Sequence, residues 1–385
     1  MKVVVIPQAY PYKEKPFLTP FLKQYSLMLK EMGFEVTVLH VKQKTLRSVF
    51  RKEEKSGVYC EEGIERYTNN SLSFHFFKRI NSLLFYAKCN SLLKKYISDK
   101  GFPDLVISHF YQYAGFSAAK ICKKYGIPLI HVEHSGWLLK NRIPRFERNK
   151  LKYVLEQSRS FVCVSETLKR QIENHVSDYR YDNMEVIPNP ISPIYTFVPP
   201  TRHDDFVFFA AGNLFKAKRF DLLIAAFSKA FDKGEKVKML IAGSGPEHDK
   251  LVRLINRYGE NRVFLTGPLN KQEMLQKYIG CDCFVLASEH ETFGIVYREA
   301  MAVGRPVITT SHQGFNYDWD DQMGIMVPVN DENALIYALK EMFKNKETYS
   351  FESISKTCLK KYSFSNIASQ YKSLINDIEK RNLCR

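Results

Sequence analysis

Between Cys283 and Thr310 the chain reads CFVLASEHETFGIVYREAMAVGRPVITT, and this run limits the fold more than any other. Residues 283–286 and the run from Pro306 are continuously apolar, as strands buried on both faces are. Between them lie a short polar loop carrying Glu291 and a helix over residues 295–303. The helix opens near Phe293 and Gly294 and stops at Gly304, with Pro306 just beyond. Buried strand, helix and buried strand in that order belong to α/β architecture with a parallel sheet wound by helices.

The same alternation fills the rest of the 385 residues, too many for one comfortable core and suited to two domains. In the first half, strands are expected near 3–6, 35–41, 104–109, 128–132 and 160–164. Helices are expected at 20–32, 75–100, 116–125, toward Gln157, and from Glu166 behind Ser165 as cap. Weak strand signals lie near Val58 and Ile64. Five prolines between 188 and 200 break regular structure and mark a boundary near residue 198. The pattern then restarts with strands at 206–211, 237–242 and 263–266, helices at 220–233 and 247–258, and a last helix at 365–380. A loop with Phe315, Tyr317 and Trp319 is expected between Gly314 and Asp331. The division is therefore 1–198, 199–364 and a terminal segment 365–385.

A helix start presents unpaired N–H groups and the positive end of the helix dipole, which together attract anions. Gly294, beside Phe293, Ile295 and Val296, would let a diphosphate approach the backbone. Glu291 precedes that start and Glu299 lies on the second turn, so both carboxylates would accept hydrogen bonds from hydroxyls such as those of sugars. Read singly, Glu291 is equally a capping acid and Glu299 a solvated charge. The turn after strand 206–211, GNLFKAKR, offers Asn213, Lys218 and Arg219 to phosphate, and Gly243 opens a second glycine turn after strand 237–242.

The pattern E-x-F-G-x-x-x-x-E-A-M-A-x-G-x-P-V-I, with E-x7-E inside it, resembles the signature of the retaining, nucleotide-sugar-dependent glycosyltransferases of family four. That resemblance implies the GT-B fold: two Rossmann-like domains facing a cleft, the first for the acceptor and the second for the donor, with the last helix crossing back to the first. It implies that Glu291 orients the donor sugar, Glu299 holds the ribose, and Lys218 and the helix start stabilise the leaving diphosphate. His134, in a segment IPLIHVEHSG that is similar to the family's strand and histidine, would hydrogen-bond the donor sugar; His109 reads as structural. Lys218 matches the family's lysine, whereas Asn213 stands at its arginine and Arg219 at its glycine. Tyr10-Pro11-Tyr12 lies where a glycine pair is common, and Pro190 replaces the glycine of V-I-P-N-G. The expected activity moves a hexose or N-acetylhexosamine, from a UDP-sugar by family habit, to a lipid-linked or cell-surface glycan by front-face transfer. No metal and no cofactor are expected. A nucleotide-sugar epimerase, a pyridoxal-phosphate phosphorylase and a sugar-nucleotide-binding module without turnover are the competing readings.

Charge bears on partners. The net charge is +16, and residues 1–200 hold 31 Lys and Arg against 18 Asp and Glu, so the surplus sits in the first half. Helix 75–100 and the run Lys140, Arg142, Arg145, Arg148, Lys150 and Lys152 read either as solvated faces or as contacts to anionic membrane. No nucleic-acid module accompanies them. Eight cysteines without a C-x-x-C pair and no run of about 18 apolar residues lead to the expectation of a cytoplasmic chain without a transmembrane helix, and the basic faces, read as membrane contacts, would put it at the inner membrane face.

Overall fold

The computed structural model describes residues 1–45, 54–74, 77–177, 181–201, 204–311 and 319–383. These form two compact units, residues 1–190 with 367–385, and residues 191–366.

In the first unit the elements run β1 (Lys2–Pro7), α1 (Pro20–Glu31), β2 (Glu35–Lys44), β3 (Gly57–Glu61), β4 (Ile64–Leu72), α2 (Lys78–Lys100) and β5 (Leu105–His109). They continue with α3 (Phe116–Tyr125), β6 (Leu129–Glu133), α4 (Arg145–Gln157), β7 (Ser160–Cys163), α5 (Glu166–His175) and β8 (Met184–Val186). The sheet order is β3-β4-β2-β1-β5-β6-β7-β8, parallel except for the β3–β4 hairpin. Helices on both faces explain why Val3 to Ile6 are wholly buried and why β1 shows no alternation. Ser165 caps α5 by accepting from the Leu168 amide, as its place before the helix predicts.

In the second unit the order is β9 (Phe206–Ala211), α6 (Phe220–Ala230), β10 (Val237–Ala242), α7 (His248–Tyr258), β11 (Val263–Gly267), α8 (Lys271–Ile279), β12 (Cys283–Leu286) and α9 (Ile295–Ala302). After these come β13 (Val307–Thr310), β14 (Gly324–Val327), α10 (Glu332–Asn345) and α11 (Phe351–Tyr362). The sheet β11-β10-β9-β12-β13-β14 is wholly parallel. Helix α12 (Phe364–Leu383) closes the chain, and from Ile367 it belongs to the first unit, where Tyr371 meets Tyr25 edge to face at 5.0 Å.

Three expectations need correction. The chain divides at Pro190, earlier than residue 198, because the proline run is tied to the second unit: the amides of Ile191 and Val198 donate to Tyr362 and Val303 carbonyls. The loop expected between 314 and 331 contains β14, a four-residue strand too short to show a period; Gly314, Phe315 and Tyr317 lie outside the described residues. Helix α2 starts at Lys78; His75 and Phe76 also lie outside the description, and Phe77, Ile80 and Leu83, grouped with its apolar residues, are exposed.

Topology fixes where a ligand can bind. In the second unit the chain builds outward from β9 through β10 to β11, then returns to β9's other side with β12 and continues to β14. Open α/β sheets bind ligands beyond the strand ends where the winding reverses. That point lies beyond β9 and β12, which feed the loops carrying Lys218 and Glu291.

Candidate functional site

The β9 loop leaves the sheet at Gly212 and ends in a short 3-10 turn, Lys216–Lys218, with Arg219 left-handed (φ 51°) before α6. It is locked to its neighbours through backbone groups. The Gly212 amide donates to Ala242, Leu214 to Ser244 and Glu247 to Leu214. Gly243 has φ 144°, and a Cβ there would lie 1.9 Å from the Gly212 carbonyl oxygen, so only glycine lets these loops come together.

The loop after β12 closes on the same place. The Glu289 amide donates to the Ala217 carbonyl at 2.8 Å, and Glu291 forms an ion pair with Lys218 through Oε1. The Ser288 hydroxyl donates to the same Oε1 at 3.0 Å. Both members of the pair keep some exposure, 22% and 13%. Arg219 is held by Glu289 (3.3 Å) and by Asp221 (3.3 Å). Asn213 is exposed.

Gly294 enters α9 with φ 69° and no side-chain cap. Phe293 is buried against Tyr362 at 5.6 Å, with the Arg298 guanidinium 4.0 Å over its ring and bonded to its carbonyl. Ile295 and Val296 form the first turn and are half-buried. One turn on, the Glu299 carboxylate accepts from the Tyr278 hydroxyl at 2.9 Å. Burial raises the Glu299 carboxyl to about 7, against lowering by the Tyr278 hydrogen bond and Lys271. Glu299 is therefore neither a cap nor a solvated charge.

The consequence for pH has a definite sign. A carboxyl held at about 7 keeps its proton in the native state where the unfolded chain, titrating near 4.5, has lost it. Its contribution to stability is greatest below the unfolded value and declines as pH rises from there through about 7. As the ribose ligand expected of it, Glu299 must be ionised to accept two hydroxyl hydrogens. Affinity for a nucleotide held in that way should therefore rise from about pH 6 to about pH 8, and Glu299→Gln should flatten that rise; calorimetric titration across the range checks it.

In the first unit the loops after β5 and β6 form a buried polar cluster. His134 Nε2 meets His109 Nδ1 at 3.0 Å, and the His134 ring packs on Phe21 and Phe110 at 5.1 and 5.2 Å. Burial lowers the His134 imidazole to about 3, and burial, with His134 and His131 nearby, holds His109 well below its ordinary value, so both are neutral. Glu133, wholly buried, accepts from the amides of Tyr111 (2.9 Å), His134 (2.9 Å) and Ser135 (2.7 Å) and meets His131 Nε2 at 3.1 Å. One carboxylate thus fixes the loop that carries His134.

Of the residues singled out by sequence reasoning, Lys218, Arg219, Glu291 and Gly294 lie on the two loops beyond β9 and β12, while the Glu299 carboxylate is held by Tyr278 of α8. That reasoning overlooked Ser288, Glu289, Tyr278 and Glu133. Only Glu289, two residues before Glu291, could have been suspected from spacing; Tyr278 reads as an ordinary helix residue. Among the described residues, no group of three or more His, Cys, Asp or Glu could hold a metal ion.

Comparisons with known proteins meet this geometry. Residues 193–352 match the family model described as Glycosyl transferases group 1, and residues 21–195 that described as Glycosyltransferase Family 4. An uncharacterized glycosyltransferase of Methanocaldococcus jannaschii is 26% identical over 231 residues, covering 56% of this chain and 59% of the relative. The mannosylfructose-phosphate synthase of Agrobacterium fabrum is 25% identical over 278 residues, covering 63% and 61%. The chain thus spans about three fifths of the length of these two relatives. Among solved structures, sucrose-phosphate synthase from Thermosynechococcus elongatus superposes with TM-score 0.80 at 16% identity, covering 99% of both chains. Anabaena HepE in complex with UDP and glucose gives 0.75 at 17% identity, covering 98% of this chain and 100% of that one. At such identities these structures share the fold.

Proposed function

The chain belongs to the family-four type of glycosyltransferases with the GT-B fold, and from that premise we propose that it transfers a hexose or N-acetylhexosamine from a nucleoside diphosphate sugar, UDP-linked, to a glycan or lipid-linked acceptor with retention of anomeric configuration. One observation carries the reading. Lys218, Glu291 and the uncapped start of α9 converge beyond β9 and β12, where the sheet's winding reverses.

The Lys218–Glu291 pair is a resting arrangement. Both groups reach solvent, so a diphosphate can take Lys218 while its remaining oxygens face the N–H groups of Ile295 and Val296. Glu291, released, accepts from hydroxyls of the donor sugar. The fixed positive groups then stabilise charge growing on the leaving diphosphate, which is the electrostatic route to rate. Glu299, oriented by Tyr278, takes the ribose. The family motif implies a sugar-facing role for His134, whose Nδ1 is buried and has no partner among the described residues. The leaving phosphate assists deprotonation of the acceptor. The reaction is assigned to the cytoplasm, where nucleotide sugars and reduced thiols coexist; six of the seven described cysteines are buried free thiols.

Incubation with UDP-sugars, with and without lipid-linked or glycan acceptors, tests the whole. A new glycoside with α-configuration from an α-linked donor supports transfer. An isomerised nucleotide sugar without acceptor, or tight binding with no product, would replace it by epimerisation or by simple binding.

Arg219 differs from Lys218 in its partners, two carboxylates, Glu289 and Asp221, in place of Glu291. Its half-buried pairs with Glu289 and Asp221 at 3.3 Å hold the guanidinium at two carboxylates. Arg219→Ala should weaken UDP binding by less than about tenfold, whereas Lys218→Ala should weaken it by more than that, on the order of 1.4 kcal/mol or greater. Equal losses would make Arg219 a phosphate ligand.

A further inference from the structure

We propose that the N-terminal end of α2, with the segment that follows β6, is a surface by which the first unit docks on an anionic lipid bilayer. The inference stands apart from the donor site and survives its failure.

Three large apolar side chains at successive threefold spacing, Phe77, Ile80 and Leu83, are 57%, 45% and 62% exposed. The opposite face of α2 is spent on the core through Phe85, Cys89, Leu92, Leu93 and Tyr96. The stripe is therefore left outside the core, with the Phe74 ring 6.4 Å from Phe77. Residues 74–98 contain no Asp or Glu, and neither do residues 134–146.

The structure joins these two acid-free stretches into one face. Lys78 Nζ lies 5.4 Å over the Trp137 ring, Lys140 Nζ lies 3.8 Å over the same ring, and the Arg79 guanidinium lies 5.2 Å over Phe146. Trp137 belongs to a 3-10 turn, Gly136–Leu139, and Phe146 to the first turn of α4, where Arg142 and Arg145 are exposed nearby in sequence. Glu147, the first acid in this stretch, is buried.

The occupant follows from the chemistry. Apolar side chains ringed by Lys and Arg, with tryptophan at the border, match a lipid surface whose headgroups are negative and whose acyl region begins a few ångströms below. An acidic protein would meet the charges but leave a convex apolar stripe uncovered. Among the described residues no helix is long and apolar enough to cross a membrane, so the contact is peripheral.

The full chain is mixed with vesicles of phosphatidylcholine alone and of phosphatidylcholine with about a third phosphatidylglycerol, then sedimented. Binding is expected only to the anionic vesicles, fading as salt rises. The triple variant Phe77→Ser, Ile80→Ser, Leu83→Ser should lose at least about tenfold in partitioning. Lys78→Glu with Arg79→Glu should lose as much. All three apolar positions are exposed, so an unchanged melting temperature and an unchanged UDP-induced shift are expected in the triple variant, which separates this surface from the donor site. Wild-type indifference to anionic lipid, as a protein-docking face would give, overturns the proposal. So does undiminished binding by the triple variant.

Discussion

Glu291→Ala should abolish sugar transfer by a factor of about 10² to 10³ while leaving the protein folded and still able to bind UDP. Glu291 sits in a loop, not in a strand, and its pair with Lys218 is partly exposed. Removing it costs stability about 1 kcal/mol or less. Lys218 loses its resting partner, so affinity for the diphosphate should hold or tighten as turnover falls. That split, kcat down with UDP dissociation constant unchanged or lower, is what a sugar-orienting carboxylate predicts and what a merely structural acid does not. Glu291→Gln keeps the shape and should recover part of the rate. Wild-type turnover in the alanine variant discards the mechanism. Weakened UDP binding with turnover intact would instead move Glu291 to the diphosphate.

Gly243→Ala should destabilise the second unit by about 3 kcal/mol or more. The residue lies at φ 144°, where an L side chain is strained, and its new Cβ would meet the Gly212 carbonyl oxygen at 1.9 Å. The backbone on both sides is committed: the Gly243 amide donates to Gly267 and the Gly212 amide to Ala242. Relief requires the β9 loop to move, and that loop carries Lys218. The melting temperature and UDP affinity should therefore fall together. A variant with wild-type stability would show that the two loops are not in contact as described. The neighbouring Gly234, with nothing within 4 Å of its added Cβ, serves as the control and should tolerate alanine.

Much of the secondary structure is legible because its determinants are local. Helices α3 and α7 stop at glycines in the left-handed conformation, Gly126 and Gly259, and strands β9, β10 and β12 are apolar runs whose ends match the expectation. Strand β14 escaped because four residues next to a polar turn carry no period. The exposed stripe of α2 was read as part of an apolar set because composition cannot say which face a helix turns inward. Tyr278 and Ser288 left no mark, since a hydroxyl that positions a carboxylate looks in sequence like any other.

The chain's own order of residues settled the class of architecture, the family pattern around Glu291 and Glu299, and the turn holding Lys218, because each is written within a few residues and obeys local rules of propensity and capping. Tertiary structure alone decided that Lys218 and Glu291, 73 positions apart, are partners. It decided that Arg219 is engaged by Glu289, that Glu299 is raised toward neutrality, and that Glu133 fixes the His134 loop. The reason is physical: β9 lies beside β12 only because the sheet reverses its winding there, and contact, burial and local charge exist only once distant segments have been packed together.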